Sequence, residues 1–185
     1  MDLIFINKIR NLYSTIDAMY EVASRHYAFS CEGCDAHCCK TRFYHYTCAE
    51  FLYLKAGFDT LDSSKKEYLK SLAHRYESHY LNADEESLQM CPLNEGGLCI
   101  LYEWRPMICR LHGLPSETQD INMTATFYGG CESFIRKNLK DGYVYMTINR
   151  TIYYREMAKI EHDLRASLGI SPPERLTVSG MILRF

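Results

Sequence analysis

The sequence has no large excess of charge of either sign. It contains 21 lysines and arginines against 23 aspartates and glutamates, and no long run of like charge. A protein that binds nucleic acid or an anionic membrane normally carries a basic face or tail. We therefore expect neither nucleic acid nor a membrane as a partner.

Long hydrophobic runs are also missing. The apolar run near the N-terminus, residues 3–6, has four residues and is far too short for the core of a signal peptide. No later stretch approaches the roughly 20 apolar residues of a membrane span. We expect a cytoplasmic protein, and in that reducing compartment clustered cysteines are more often metal ligands than disulfide partners.

The signatures of several common enzymes are absent as well. The Gly96-Gly97 and Gly129-Gly130 pairs lack the strand–loop–helix setting of a nucleotide-binding loop. The C-x3-C-x2-C order of radical S-adenosylmethionine enzymes is not found, and a crowd of cysteines argues against one nucleophilic thiol. The sequence leaves open whether the protein is an enzyme.

What the chain does contain is cysteine. Eight of its nine cysteines form two sets: Cys31-x2-Cys34-x3-Cys38-Cys39, and then Cys91, Cys99, Cys109 and Cys131. Soft thiolates at such intervals are the ligands of zinc and of iron–sulfur clusters. Eight exceed the four that one zinc ion or one cube needs, so two centres are favoured, while one cluster with four accessory cysteines stays open.

The first set limits how ligands are shared. Cys31-x2-Cys34 has the spacing that lets two thiolates of one turn reach the same metal. Neighbouring side chains of an extended stretch point to opposite sides, so Cys38 and Cys39 would serve different irons of one cluster or two different centres. A disulfide between them would be strained and is not expected in a reducing compartment.

In the second set, Pro92 and the two glycine pairs stand beside the cysteines, where backbone can bend around a metal. Arg105 and Arg110 flank Cys109. Because four thiolates give a zinc site or a cube a net negative charge, we predict that these arginines bind the cofactor by charge and hydrogen bonding. The alternative is a pair of surface arginines.

Three further residues are candidate ligands. Cys48 stands apart from both sets and is more typical of a buried small hydrophobic residue. His37 lies inside the first set and His112 follows Cys109 by three residues, so either could replace a thiolate in a mixed site. Each is more often a bystander.

Apolar residues recur every three or four positions in three parts of the chain, which predicts helices. The first covers about 25 residues from the N-terminus, with Leu3 on its apolar face. Two capping-box patterns, residues 47–50 and 64–67, open a helix that stops near Gly57 and one that reaches about Asn82 with Tyr68 on its apolar face.

A last helix is predicted from Val144 to Leu168, with Ile152 on its apolar face and Gly169 closing it, followed by one extended segment at 176–185. Residues 90–130 lose the periodicity and read as loops and turns. We predict a mainly α protein, a single small helical domain over residues 1–185, with an irregular cysteine-rich metal-binding region at about 31–131.

The cysteine pattern resembles that of a known family. The first set, Cys91-Pro92 and the block Cys99-Ile100-Leu101-Tyr102-Glu103-Trp104-Arg105-Pro106-Met107-Ile108-Cys109-Arg110 are similar to the YkgJ-type cysteine-cluster family, a zinc- or iron-chelating domain related to the C-terminal region of flagellin lysine methylases. The chain departs from it in the three residues before Cys38 and in Leu101. The resemblance implies that all eight cysteines are ligands and that an iron–sulfur centre is at least as probable as zinc.

Two functions follow as expectations. The first is a cytoplasmic protein holding one or two iron–sulfur clusters, 4Fe–4S favoured, that transfers electrons or assists a modifying enzyme, with a protein partner of unknown identity. The alternative is a zinc protein whose four-cysteine sites organise the irregular region for partner binding without redox chemistry. An enzyme acting on a peptide or protein rests on analogy with the methylases alone.

Overall fold

Helices make up most of the chain, which confirms the predicted mainly α class. The computed structural model describes residues 3–31, 37–82, 89–138, 145–171 and 174–185. In these ranges the helices are α1 (Leu3–His26), α2 (His37–Lys40), α3 (Cys48–Asp59), α4 (Ser63–Asn82), α5 (Met107–Leu111), α6 (Glu132–Asn138), α7 (Arg150–Leu168) and α8 (Val178–Ile182). None of the described helices is long and apolar enough to cross a membrane.

The strands are short: β1 (Asn94–Glu95), β2 (Leu98–Cys99), β3 (Ser116–Gln119), β4 (Ala125–Tyr128) and β5 (Ile148–Asn149). β1 and β2 form an antiparallel hairpin, and β3 lies between antiparallel β4 and parallel β5. The sequence predicted only loops and turns at 90–130. Strands of two to four residues are too short to produce a readable alternation of apolar and polar positions.

The long helices form where predicted, and each buries apolar residues at the predicted three- or four-residue spacing. In α1 the buried face includes Ile9 and Ile16, whereas Leu3 is 73% exposed. In α4 and α7, Tyr68 and Ile152 are likewise exposed, so some positions of the predicted faces are wrong. An apolar residue at the edge of a helical face can lie on either side of its boundary, and tertiary packing decides whether it is buried.

The ends of the helices follow capping chemistry. Thr47 caps α3 by accepting a hydrogen bond from Glu50 N (3.1 Å), as predicted. For α4 the cap is Asp62 rather than the predicted Ser64, since Asp62 Oδ1 accepts from Lys65 N (2.8 Å). Gly169 closes α7 in the left-handed conformation, with φ of 64°.

Two predicted boundaries are wrong. α7 begins at Arg150, with Asn149 as its cap, and Ile148 belongs to β5; the predicted start at Val144 lies outside the described residues. The tail is not one extended segment, because residues 178–182 form α8, capped by Thr177. The tail is short, so the spacing of its apolar residues does not distinguish a helix from an extended strand.

Two apolar cores position the cysteine region. The main core joins α1, α3, α5 and α7, with Ile16 and Leu164 fully buried. The second core joins α3, α4 and α8 and includes Leu93 and Leu101 from the cysteine-bearing segment. Residues 89–111 therefore run between the two cores, and this places their cysteines in one internal region.

Candidate metal centre

A cavity of about 150 Å³ collects most of the predicted ligands. Its lining includes six of the eight, from both sets: Cys31, Cys38, Cys39, Cys91, Cys99 and Cys109. They come from two stretches of chain, residues 31–39 and 91–109, that are far apart in the sequence. The structure thus joins the two sets into a single constellation.

The vicinal pair lies in a helical turn, so the predicted extended geometry is wrong. Cys38 and Cys39 belong to α2, and their Sγ atoms are 4.0 Å apart rather than on opposite sides of a strand. Ligands of tetrahedral zinc stand about 3.8 Å apart, given Zn–S bonds of about 2.3 Å. The two thiols can therefore face the same centre.

Backbone hydrogen bonds attach the second set to the first. Cys91 N donates to Cys39 O (2.7 Å), and Asn94 N donates to Cys91 O (2.9 Å). Asn94 pairs with Cys99 across the β1–β2 hairpin. Gly96 and Gly97 form its turn with positive φ, which two-residue hairpins require. The hairpin brings Cys91 and Cys99 to the cavity together.

Burial controls the protonation of these thiols. It raises the pKa of Cys91 to about 12 and raises the pKa values of Cys99 and Cys109 above the ordinary thiol value. The hydrogen bond between the Cys38 and Cys39 thiols raises the pKa of Cys38 and lowers that of Cys39 to about 6. Cys39 is therefore the thiol of this pair that favours the thiolate, and Cys91, Cys99 and Cys109 would have to lose protons to bind a metal.

The structure describes only one of the remaining two predicted ligands. Cys34 lies outside the described residues. Cys131 is buried beside α6, where its Sγ accepts a hydrogen bond from Phe134 N (3.4 Å), and it is not among the residues that line the cavity. Tyr20 also lines the cavity; its hydroxyl lies 3.8 Å from Cys31 Sγ, and burial together with the Cys31 and Cys131 thiols raises its pKa.

Arg105 and Arg110 both line the cavity and are buried, not surface residues. Arg110 is fully engaged: it donates to the carbonyls of Arg105 and Glu103 and pairs with Asp17. Arg105 Nη2 pairs with the same carboxylate (3.4 Å), while its Nε has no described partner. The two guanidinium groups lower the pKa of Cys99 against the dominant effect of burial.

The three further candidate ligands named from the sequence lie in different places. Cys48 is buried in the main core, away from the cavity. His112 lines the cavity, and burial together with Arg150 lowers its pKa to about 4, so its ring is neutral. His37 begins α2, but its side chain is outside the described part. Across the described ranges, no three Cys, His, Asp or Glu side chains are already arranged to hold a metal ion.

Sequence reasoning missed two polar residues at the site. Asp17 lies on α1 one turn from Tyr13 and Tyr20 and joins the two buried arginines. An acidic residue beside the buried face of a helix was the available signal. His45 lines the cavity with a fully buried ring, and nothing in its sequence neighbourhood marks it as part of a site.

Comparison with known proteins found no matching family model, no matching curated protein and no matching solved structure. The resemblance to the YkgJ-type family therefore stays a prediction.

Proposed function

We propose that this chain is a metal-binding protein whose cysteine-lined cavity holds an iron–sulfur cluster, with 4Fe–4S favoured. The observation that carries the proposal is the meeting of six thiols from two distant stretches of chain in one cavity of about 150 Å³. Six soft donors distributed around such a volume exceed the four of a single zinc ion and suit a centre with several metal atoms.

The chain's own residues would prepare this site. Cys39 already favours the thiolate, and Arg105 and Arg110 supply positive charge that offsets the charge of thiolate ligands. A bound cluster would supply one-electron transfer. The proposal includes a reducing, cytoplasmic location and a protein partner, which would approach at the cavity residues Leu98 and Tyr102, both more than half exposed.

Anaerobic purification followed by a visible spectrum and metal and sulfide analysis tests the proposal. We expect a brown protein that bleaches with oxidants and contains iron with equimolar acid-labile sulfide. Stoichiometric zinc without visible absorption would contradict the iron–sulfur assignment. A chain free of any bound metal, after purification and after reconstitution, would contradict metal binding as a whole.

Zinc is the second candidate, and one distance favours it. The 4.0 Å between Cys38 and Cys39 is close to the separation of two ligands on one tetrahedral zinc. In that case the metal would organise residues 89–111 as a surface for a partner, without redox chemistry. The same purification distinguishes the candidates, because the zinc protein is colourless.

A further inference from the structure

His45 is a buried polar residue at the cavity that the cysteine site does not use. Its ring is 3% exposed and lines the same cavity as the six thiols. No described residue provides a hydrogen-bond partner for its Nε2. A buried polar atom without a partner is costly in a folded protein, so its presence beside a site indicates something that binds there.

The position of His45 is fixed from two sides. Its backbone N and O pair with Leu176 (2.8 and 3.0 Å), which places residue 45 in an antiparallel bridge. Its Nδ1 lies 3.8 Å from Glu50 Oε1. The carboxylate itself is held by Thr47 Oγ1 (2.8 Å) and by Met107 N (3.0 Å).

Glu50 stays ionised although it is buried. Burial opposes its charge, but the nearby His45 ring and the hydrogen bonds from Thr47 and Met107 outweigh that effect and lower its pKa. Because the Glu50 carboxylate lies on the Nδ1 side of the ring, Nε2 is the ring nitrogen that remains for a metal.

This carboxylate–histidine pair is the arrangement in which protein histidines bind metals, with the second ring nitrogen oriented by an acidic residue. His112 lines the same cavity without it. Its ring packs on Phe43, with centroids 5.1 Å apart, and it has no acidic partner in the described ranges. His45 is therefore the residue to test, and His112 is its control.

We propose that His45 Nε2 is a nitrogen ligand of the metal centre and that Glu50 is its positioning residue. This inference rests on the proposed metal site and names a donor outside the cysteine sets. A mixed cysteine–histidine ligand set would also raise the potential of an iron–sulfur cluster relative to an all-thiolate one.

The test detects nitrogen bound to the metal with which the protein purifies. For zinc, X-ray absorption should show a nitrogen neighbour at about 2.0–2.1 Å beside sulfur at about 2.3 Å. For a reduced iron–sulfur cluster, pulsed EPR should show a nitrogen coupling that changes when histidine is labelled with 15N. Purely sulfur ligation in the wild type would overturn the inference and leave the proposed function standing.

Histidine variants identify the residue that supplies the nitrogen ligand. His45→Ala should lose the signal and His112→Ala should keep it, whereas the reverse result would overturn the inference. Glu50→Gln should keep the nitrogen but weaken metal affinity about 10- to 100-fold. If His45→Ala fails to fold by circular dichroism, His45→Cys should retain the metal and replace the nitrogen by sulfur; retained nitrogen in that variant would contradict the assignment.

Discussion

The helical frame and the cysteine segment are held together by different means. In the frame, α1 and α7 bury apolar side chains such as Ile16 and Leu164. In residues 89–111, Leu93 and Leu101 pack into the second core, but the cysteines are positioned by backbone bonds like the one from Cys91 N to Cys39 O and by a two-residue hairpin. The frame is stabilised by its own packing, whereas the proposed metal site would add to the stability of the segment.

Metal removal should produce the largest difference between the two regions. A structural zinc site contributes about 10–16 kcal/mol in small zinc peptides, and a frame with its own core does not share that dependence. After chelation we expect amide hydrogen exchange at 89–111 to accelerate by orders of magnitude while α1 and α7 stay protected. Equal loss of protection in both regions would show that the frame also needs the metal.

Lowering the pH should weaken metal binding steeply through the thiols of the segment. Cys91, Cys99 and Cys109 have raised pKa values, so at neutral pH each gives up a proton to become a ligand. Affinity then falls about tenfold per pH unit for each such thiol, or about a thousandfold for three.

Cys39 sharpens this expectation, because its pKa is about 6 and it is already a thiolate above that pH. It should add to the slope only below about pH 6. A competition titration with a chromophoric chelator between pH 6 and 8 measures the slope. An affinity independent of pH would mean that thiols do not bind the metal.

A cavity in the frame should lower stability without emptying the site. Ile16 is fully buried, so Ile16→Ala should reduce the free energy of unfolding by about 2–5 kcal/mol in urea denaturation. The matched control, Ile152→Ala on the exposed face of α7, should cost less than about 0.5 kcal/mol. Metal content per folded molecule should be unchanged in both.

The smallest loss of stability is expected where the helical frame contacts residues 89–111. Asp17 of α1 pairs with Arg105 and Arg110, so Asp17→Ala should cost about 1–3 kcal/mol by leaving buried guanidinium donors without their acceptor. Asp163→Ala, which breaks the exposed pair with Lys8, should cost about 0–1 kcal/mol. Equal unfolding midpoints for the two variants would argue against a structural role for Asp17.

The sequence predicted where the long helices lie and most of the residues they bury. Local chemistry determines where helices start and stop, as at Thr47 and Gly169. The burial of single positions depends on partners far along the chain, so Tyr68 and Ile152 are exposed although the spacing predicts them on the apolar faces. For the site, cysteine spacing identified six residues that meet in the cavity, but also Cys131, which does not line it.

The arginines beside Cys109 were predicted at the site, but His45 and Glu50 were beyond sequence reasoning. These two residues stand five positions apart in a loop and a helix start, and their positions depend on the approach of Leu176 and Met107. The helical turn of Cys38 and Cys39 was missed because four residues carry no periodicity. Contacts between distant segments, rather than local propensity, give these residues their geometry.

The metal content of two matched cysteine variants tests the central claim most directly. Cys109 lines the cavity, whereas Cys48 lies in the main core, so both replacements by serine remove one partly or fully buried thiol. With metal, sulfide and absorption measured on anaerobically purified protein, Cys109→Ser should lose most of the bound metal and Cys48→Ser should match the wild type. Unchanged metal in Cys109→Ser would contradict a metal centre built from the cavity cysteines.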